Sequence, residues 1–303
     1  MSRYYICAEI ICNSFMEAIP DRWSSVLIAT ITLFLIFPAT GCSNKLSQQN
    51  NTKDSTSLKI DTAIAARHSI PGRPINYDST KRYIYLTLDD GPQNGTMNCY
   101  HILQNLGVRA SFFMIAAQAI DERQRKRADS ILDIYPEFLL CNHSYTHANY
   151  NHYKSFYNNA DSALRDIMKA QDSLHLPLKI FRTPANNSWA INGRMRSPQL
   201  TKSLCHLLDS AGYYTIGWDV EWRFKTKDGA IPVQNTQTMI EEVEKSFDHN
   251  ENFVKNNLVI LVHDRMFAKQ QYADSLTKFI TLLKEDKRYT FETIDHYPGL
   301  VFK

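Results

Sequence analysis

The chain has 303 residues, enough for one large domain or two ordinary ones around a sizeable core. Hydrophobic residues make up 44% and charged residues 21%, which excludes a wholly disordered or fibrous chain. The formal net charge is only +3 and no basic run interleaves with aromatics, so no nucleic-acid partner is expected.

Residues 26–37 (VLIATITLFLIF) form a twelve-residue apolar core inside an uncharged stretch. That length suits the h-region of an export signal better than a bilayer span, which needs roughly 20 residues. Small residues then lead to Cys42, and a polar run follows. The pattern is similar to a bacterial lipoprotein signal, so residues 1–41 are expected to be removed and Cys42 to carry lipid. Residues 42–78 read as a polar tether to a membrane and 79–303 as a single catalytic domain, exported, monomeric and held at the cell envelope. Cys99, Cys141 and Cys205 then remain, an odd number that cannot all pair internally.

From residue 83 the chain alternates strand-like and helix-like segments. YIYLTL (83–88) runs into an Asp-Asp-Gly-Pro turn, and a helix over 95–106 stops at Gly107. ASFFMI (110–115) reads as a buried strand, followed by a charged helix to about 134 and a short apolar strand, EFLLC (137–141). Helical spacing then runs from Phe156 to Leu174. LKIF (178–181), YYTIGW (213–218), LVILV (258–262) and YTFETI (289–294) are the later strands, separated by helices near 199–211, 235–254 and 272–284. Repeated β/α units of this kind predict an α/β fold with a mostly parallel sheet, open or closed into a barrel.

Polar residues sit where five of these strands end. Asp89 and Asp90 follow the first, His143 follows EFLLC and Arg182 follows LKIF. Asp219 and Glu221 follow YYTIGW, and His263 follows LVILV. A turn, a core histidine or a loop start explains any one of these alone, but the five together mark the carboxyl edge of a parallel sheet, where active sites sit. His143 and His147 are four apart, so a helical turn or a tight loop can aim both imidazoles at one point. A carboxylate as third ligand would complete a His₂Asp site with open positions, the layout of hydrolytic zinc. Adjacent aspartates point in different directions, so Asp89 and Asp90 are expected to divide the work.

The ordered set TLDDGP (87–92), HSYTH (143–147), RTP (182–184), WDVEW (218–222) and LVH (261–263) resembles the polysaccharide deacetylases, the NodB-homology group or carbohydrate esterase family four. The resemblance spans about 80–303 and implies an irregular (β/α) barrel. It implies that Asp90, His143 and His147 bind a divalent metal, zinc first with cobalt or nickel tolerated, and that Asp89 is the general base. Arg182 would pair with Asp89, His263 would protonate the leaving amine, and the backbone N–H at Ala185 would help hold the oxyanion. Leu261 and Trp222 would contact the substrate, an N-acetylated polysaccharide or oligosaccharide.

This chain departs from the family pattern at three places. Leu88 stands where the first motif has Phe, and Ala185-Asn186 replace an aromatic and Gly. The fourth motif is one residue short, so either Asp219 or Glu221 is a candidate to orient His263, and an ungapped alignment puts Phe224 in the second acid's place. Two further functions therefore stand beside N-deacetylation: an O-acetyl glycan esterase, and a catalytically impaired glycan-binding lipoprotein. Cys141 reads as a small buried hydrophobe rather than a ligand. His101, His152, His175 and His206 are not expected at the metal. Trp189 and Trp222 are equally core residues or platforms for a sugar face.

Overall fold

A computed structural model describes residues 75–227 and 229–302. The expected export signal, Cys42 and the expected tether up to residue 74 lie outside the described residues. Packing is already under way at Ile75, which meets the inner core, and the Tyr77 hydroxyl lies 3.0 Å from that of Tyr85. Ile75 and Tyr77 thus pack against the domain.

The strands in chain order are β1 (Arg82–Gly91), β2 (Ala110–Met114), β3 (Phe138–Asn142), β4 (Ile180–Phe181), β5 (Trp189–Ile191) and β6 (Arg194–Arg196). They continue as β7 (Tyr214–Thr215), β8 (Val220–Glu221), β9 (Phe224–Lys225), β10 (Ile231–Pro232), β11 (Asn257–His263) and β12 (Tyr289–Phe291). Seven run parallel in the order β8-β11-β1-β2-β3-β4-β7. The β5-β6 hairpin extends the β7 edge antiparallel, β12 pairs with the start of β1, and β9-β10 form a separate hairpin. No ladder joins β7 to β8, so the sheet curls into a barrel that stays open on that side. The irregular α/β barrel expected from the sequence is the fold observed.

Helices cover the outside: α1 (Thr96–Leu106), α2 (Glu122–Leu132), α3 (Ala160–Ser173), α4 (Lys202–Ser210), α5 (Thr236–Asp248) and α6 (Gln270–Glu285). Their ends follow local chemistry. Gly107 takes a φ of 59° and donates its N–H back to α1, a left-handed stop that costs glycine little. Asp121 and Asn235 accept N–H groups at the starts of α2 and α5, at 3.0 and 2.9 Å.

Side-chain alternation in β1 sorts the core into two layers. Ile84, Leu86 and Leu88 face the helices, while Tyr83 and Tyr85 face the barrel interior with Phe113, Cys141, Ile180 and Val259. Cys141 is therefore an interior apolar residue, as its apolar strand suggested.

Three expectations change. The strands expected at 178–181 and 213–218 shrink to two residues each, since the Arg182 side chain takes the Ile216 and Gly217 carbonyls. The helical run from Phe156 breaks at Asn159, whose side chain caps α3. The last strand ends at Phe291, and a 3₁₀ turn at Ile294–His296 replaces its tail.

Candidate active site

The inner row of β1 continues upward from Tyr85 through Thr87 to Asp89, so Asp89 points into the barrel. Arg182 is fully buried at the end of β4, and one Nη spans this row at 2.7 Å to Thr87 Oγ1 and 2.9 Å to Asp89 Oδ1. Its other donors reach the Ile216 and Gly217 carbonyls at 3.1 and 2.8 Å, and Phe113 lies under the guanidinium at 4.2 Å. Gly217 is required there: a Cβ would come within 2.2 Å of Asn187 Oδ1 and 2.4 Å of Trp189 Nε1. Arg182 thus fixes Asp89 and ties β1 to the chain just after β7.

Asp90 leaves this row. The β1–β2 register shifts between Asp89 and Gly91, and Asp90 adopts a φ of 76°. The irregularity turns its carboxylate over the carboxyl rim, toward the histidines after β3. Bulge and alternation together separate two adjacent aspartates that the sequence alone could not assign.

His143 and His147 converge on Asp90, but not from a right-handed helix. Residues 147–151 all have positive φ, between 52° and 71°, and form a left-handed turn without a glycine. Such a backbone costs about 1–2 kcal/mol per residue, so its neighbours must hold it. Asp166 accepts the Tyr145 N–H at 2.8 Å and the Thr146 hydroxyl at 2.9 Å, and Thr146 Oγ1 accepts the Asn149 N–H at 2.8 Å.

Asp90, His143 and His147 each offer a ligand atom, all within 4.8 Å of one another, and they are the one such group among the described residues. The surrounding hydrogen bonds decide which atoms are free. His143 Nδ1 lies 3.0 Å from the Arg182 carbonyl and His147 Nδ1 lies 2.5 Å from Asn151 Oδ1. Both acceptors demand a proton on Nδ1, which leaves lone pairs on the two Nε2 atoms. These face Asp90 Oδ1 at 3.5 and 3.2 Å, and that oxygen is buried without a hydrogen bond. Two lone pairs and an orphaned carboxylate oxygen aimed at one point suit a cation and little else. Burial alone would raise the Asp90 carboxyl, but the three nearby histidines outweigh it and hold it well below the usual carboxylate range. Burial works against the His147 cation, yet Asp90 and Asn151 push its imidazole above the ordinary value.

The other half of the site is built differently. His263 ends β11 beside Asp89 in the β1–β11 register, with Nε2 4.0 Å from Asp90 Oδ2. Its Nδ1 is buried and has no hydrogen-bond partner among the described residues. The Phe224 ring packs against the imidazole in a T-shaped contact, 4.9 Å between centroids. Asp219 cannot orient His263. Its side chain is fully buried beside Val259, four residues before His263 along β11, and accepts the Phe253 and Val259 N–H groups, at 2.8 and 2.9 Å. Burial pushes its carboxyl up to about 6 despite those two bonds. Glu221 lines the cavity opposite Leu261 in the β8–β11 register, but makes no bond to His263.

These side chains surround a cavity of about 390 Å³, whose wall also includes Ala185, at a φ of 57°, and Leu261. Trp222 is not part of it. It is buried among Phe267 and Phe279 behind the sheet, its indole N–H 2.8 Å from the Gln234 carbonyl, so it packs the core. Trp189 is likewise buried, stacked on Phe253. Trp218 lines the cavity instead, with Tyr153, Asn151 and Thr183. Sequence reasoning missed Asn151 and Tyr153, although their place just beyond the His pair was a usable signal. The Tyr153 hydroxyl shares Asn151 Oδ1 with His147, at 2.9 Å. His101, His152, His175 and His206 are not in the metal-ligating group.

Residues 76–188 match the sequence model of the family described as polysaccharide deacetylase. The homologue YheN of Bacillus subtilis is 24% identical over 284 residues, 89% of each chain. The catalytic domain of a peptidoglycan N-acetylglucosamine deacetylase from Eubacterium rectale has the same fold, with a TM-score of 0.52 at 19% identity, covering 77% of this chain and 97% of that one. A Streptococcus mutans family-four esterase gives 0.52 at 18%, covering 77% and 90%. The matched segment carries β1 with both aspartates, the His143–His147 turn and Arg182. The segment that carries these residues thus matches the polysaccharide deacetylase family, and the fold is shared with solved structures of family-four deacetylases and esterases.

Proposed function

We propose that the chain hydrolyses N-acetyl groups on the sugars of a polysaccharide, using a divalent metal held by Asp90, His143 and His147. The observation that carries this is the orphaned Asp90 oxygen facing two imidazole lone pairs, with a separate carboxylate, Asp89, clamped beside it. A divalent cation in such a site, zinc in this reading, acidifies a water and polarises the acetyl carbonyl. The chain's own groups do the rest. Asp89, aimed by Arg182, accepts the proton of the attacking water. His263, beside Asp89 on the neighbouring strand, is the proposed donor of a proton to the departing sugar nitrogen, and the Ala185 N–H is the proposed donor to the oxyanion.

The bare His263 Nδ1 favours a second reading, removal of O-acetyl groups, since an alkoxide leaving group asks less of the acid than an amide nitrogen does. Incubation with N-acetylglucosamine oligomers and with O-acetylated xylan separates the two. Acetate together with new free amine supports N-deacetylation, acetate from the xylan alone supports the esterase, and binding without acetate supports an impaired binding protein.

We further propose that the protein is exported, processed at Cys42 and held as a monomer at the cell envelope by lipid. The apolar run at 26–37, the small residues before Cys42 and the polar stretch after it support this. Mass spectrometry of the native N-terminus decides it, and an unmodified Cys42 within a longer chain would sink the claim.

A further inference from the structure

Next to the catalytic cavity lies a larger one, of about 460 Å³, lined by Gln93, Asn94, Gln124, Phe224, Thr226 and Arg265 among others. Phe224, Thr226 and Arg265 line both, so the two spaces adjoin. Arg265 also lines a third cavity, of about 300 Å³, that reaches Asp90 and His147 from the other side. It is the only Lys or Arg among the described lining residues of all three. Its guanidinium is exposed and makes no ion pair or side-chain hydrogen bond among the described residues.

The larger cavity has no acid among its described lining residues. A second guanidinium backs it: Arg127 Nη1 is 2.9 Å from Gln124 Oε1 and 3.2 Å from the Gln93 carbonyl. Since Gln124 Oε1 is engaged, its amide N–H groups remain as donors. Gln93 is fixed in turn by donating to Asp264 Oδ1 at 2.6 Å. Phe224, Thr226 and Gly229 of the lining come from a sequence segment, RFKTKDG (223–229), that carries three basic residues and one acid. A neutral sugar uses none of this positive charge. A planar carboxylate does, because a free guanidinium grips it through two parallel N–H bonds, while the half-buried Phe224 ring offers an apolar face for the sugar.

We infer that this second cavity is a subsite for a carboxylate-bearing sugar linked to the N-acetyl sugar being processed, with Arg265 as the residue that selects it. The inference rests on the deacetylase reading only for what occupies the neighbouring cavity. The test compares three oligosaccharides of equal length: N-acetylglucosamine alone, N-acetylglucosamine alternating with a uronic acid, and N-acetylglucosamine alternating with its own lactyl ether. Calorimetric binding and acetate release are both measured on the full metal-loaded protein, on Arg265→Ala and on Arg265→Lys. At least one acidic oligomer should bind the wild type ten-fold or more tighter than the neutral one, and which does so identifies the sugar. That ratio should fall about ten-fold in Arg265→Ala, through KM rather than kcat, and partly recover in Arg265→Lys. Equal binding of acidic and neutral oligomers by the wild type, or a loss in Arg265→Ala that is the same for both, would overturn it. Arg265-dependent preference without any acetate release would remove the deacetylase reading and leave the subsite standing. Acetate release without preference would do the reverse.

Discussion

The two halves of the active site are finished to different degrees. On the β1–β3 side every polar group has a partner except those facing the metal position: Arg182 braces Asp89, a carbonyl braces His143 and Asn151 braces His147. On the β8–β11 side the catalytic candidate His263 packs against the Phe224 ring, its Nδ1 has no partner among the described residues, and Asp219 is engaged by backbone N–H groups. Outer partners fix a ligand's tautomer and raise its basicity, so the first half is organised to hold a cation and activate water. In the proposed reaction the second would deliver a proton with an imidazole whose Nδ1 has no partner among the described residues. On that reading the weak link would be protonation of the leaving group, not assembly of the nucleophile.

The comparison breaks first at the metal. His147→Ala removes one of three protein ligands, so metal affinity should fall by more than the 10- to 100-fold that loss of an outer partner costs. Metal content after dialysis against a weak chelator measures it, and retained stoichiometric metal would mean the ligand set is wrong. A smaller effect belongs to the other half. His263→Ala should keep its metal and lose about 10²-fold on amide substrates, the low end for a general acid, and less on activated esters. A loss near 10⁴ would show that His263 is well oriented after all.

Much of the first half was legible in the sequence, because apolar runs such as residues 83–88 end directly in the functional residues. The second half was not. Strands β8, β9 and β10 have two residues each, too few for any periodicity, so the fate of Glu221, Trp222 and Phe224 was hidden. Trp222 looks alike as a sugar platform or as core, and only its place between Phe267 and Phe279 decides. Asp219 just precedes β8 and Glu221 ends it, yet they serve different spaces, a distinction that needs the register. Residues 147–151 contain no glycine, so nothing local announced a left-handed turn.

The smallest expected effect concerns Asp264, next to His263. It is fully buried, accepts bonds from Gln93 and Thr96, and its carboxyl is pushed up to about 7, chiefly by burial. The folded state therefore favours the protonated form. This contribution to stability is complete below about pH 4 and is lost as pH rises through 7. Asp219, pushed up to about 6, acts in the same direction. Thermal midpoints between pH 4 and 8 should drift down by a few degrees, at roughly 2–4 °C per kcal/mol, and the drift should shrink in Asp264→Asn. An unchanged drift in that variant would assign it to other groups.

The division of the two aspartates is tested most directly by metal content and amide turnover measured together on Asp89→Asn and Asp90→Asn. Asp89 lies on the inner row with Arg182 and Asp90 is turned out by the irregularity in β1. Asp89→Asn should hold its metal and lose on the order of 10² to 10⁴ in rate. Asp90→Asn should lose the metal itself, because a neutral amide oxygen is a poorer ligand. Near wild-type turnover by metal-loaded Asp89→Asn, or full metal retention by Asp90→Asn, would contradict the account.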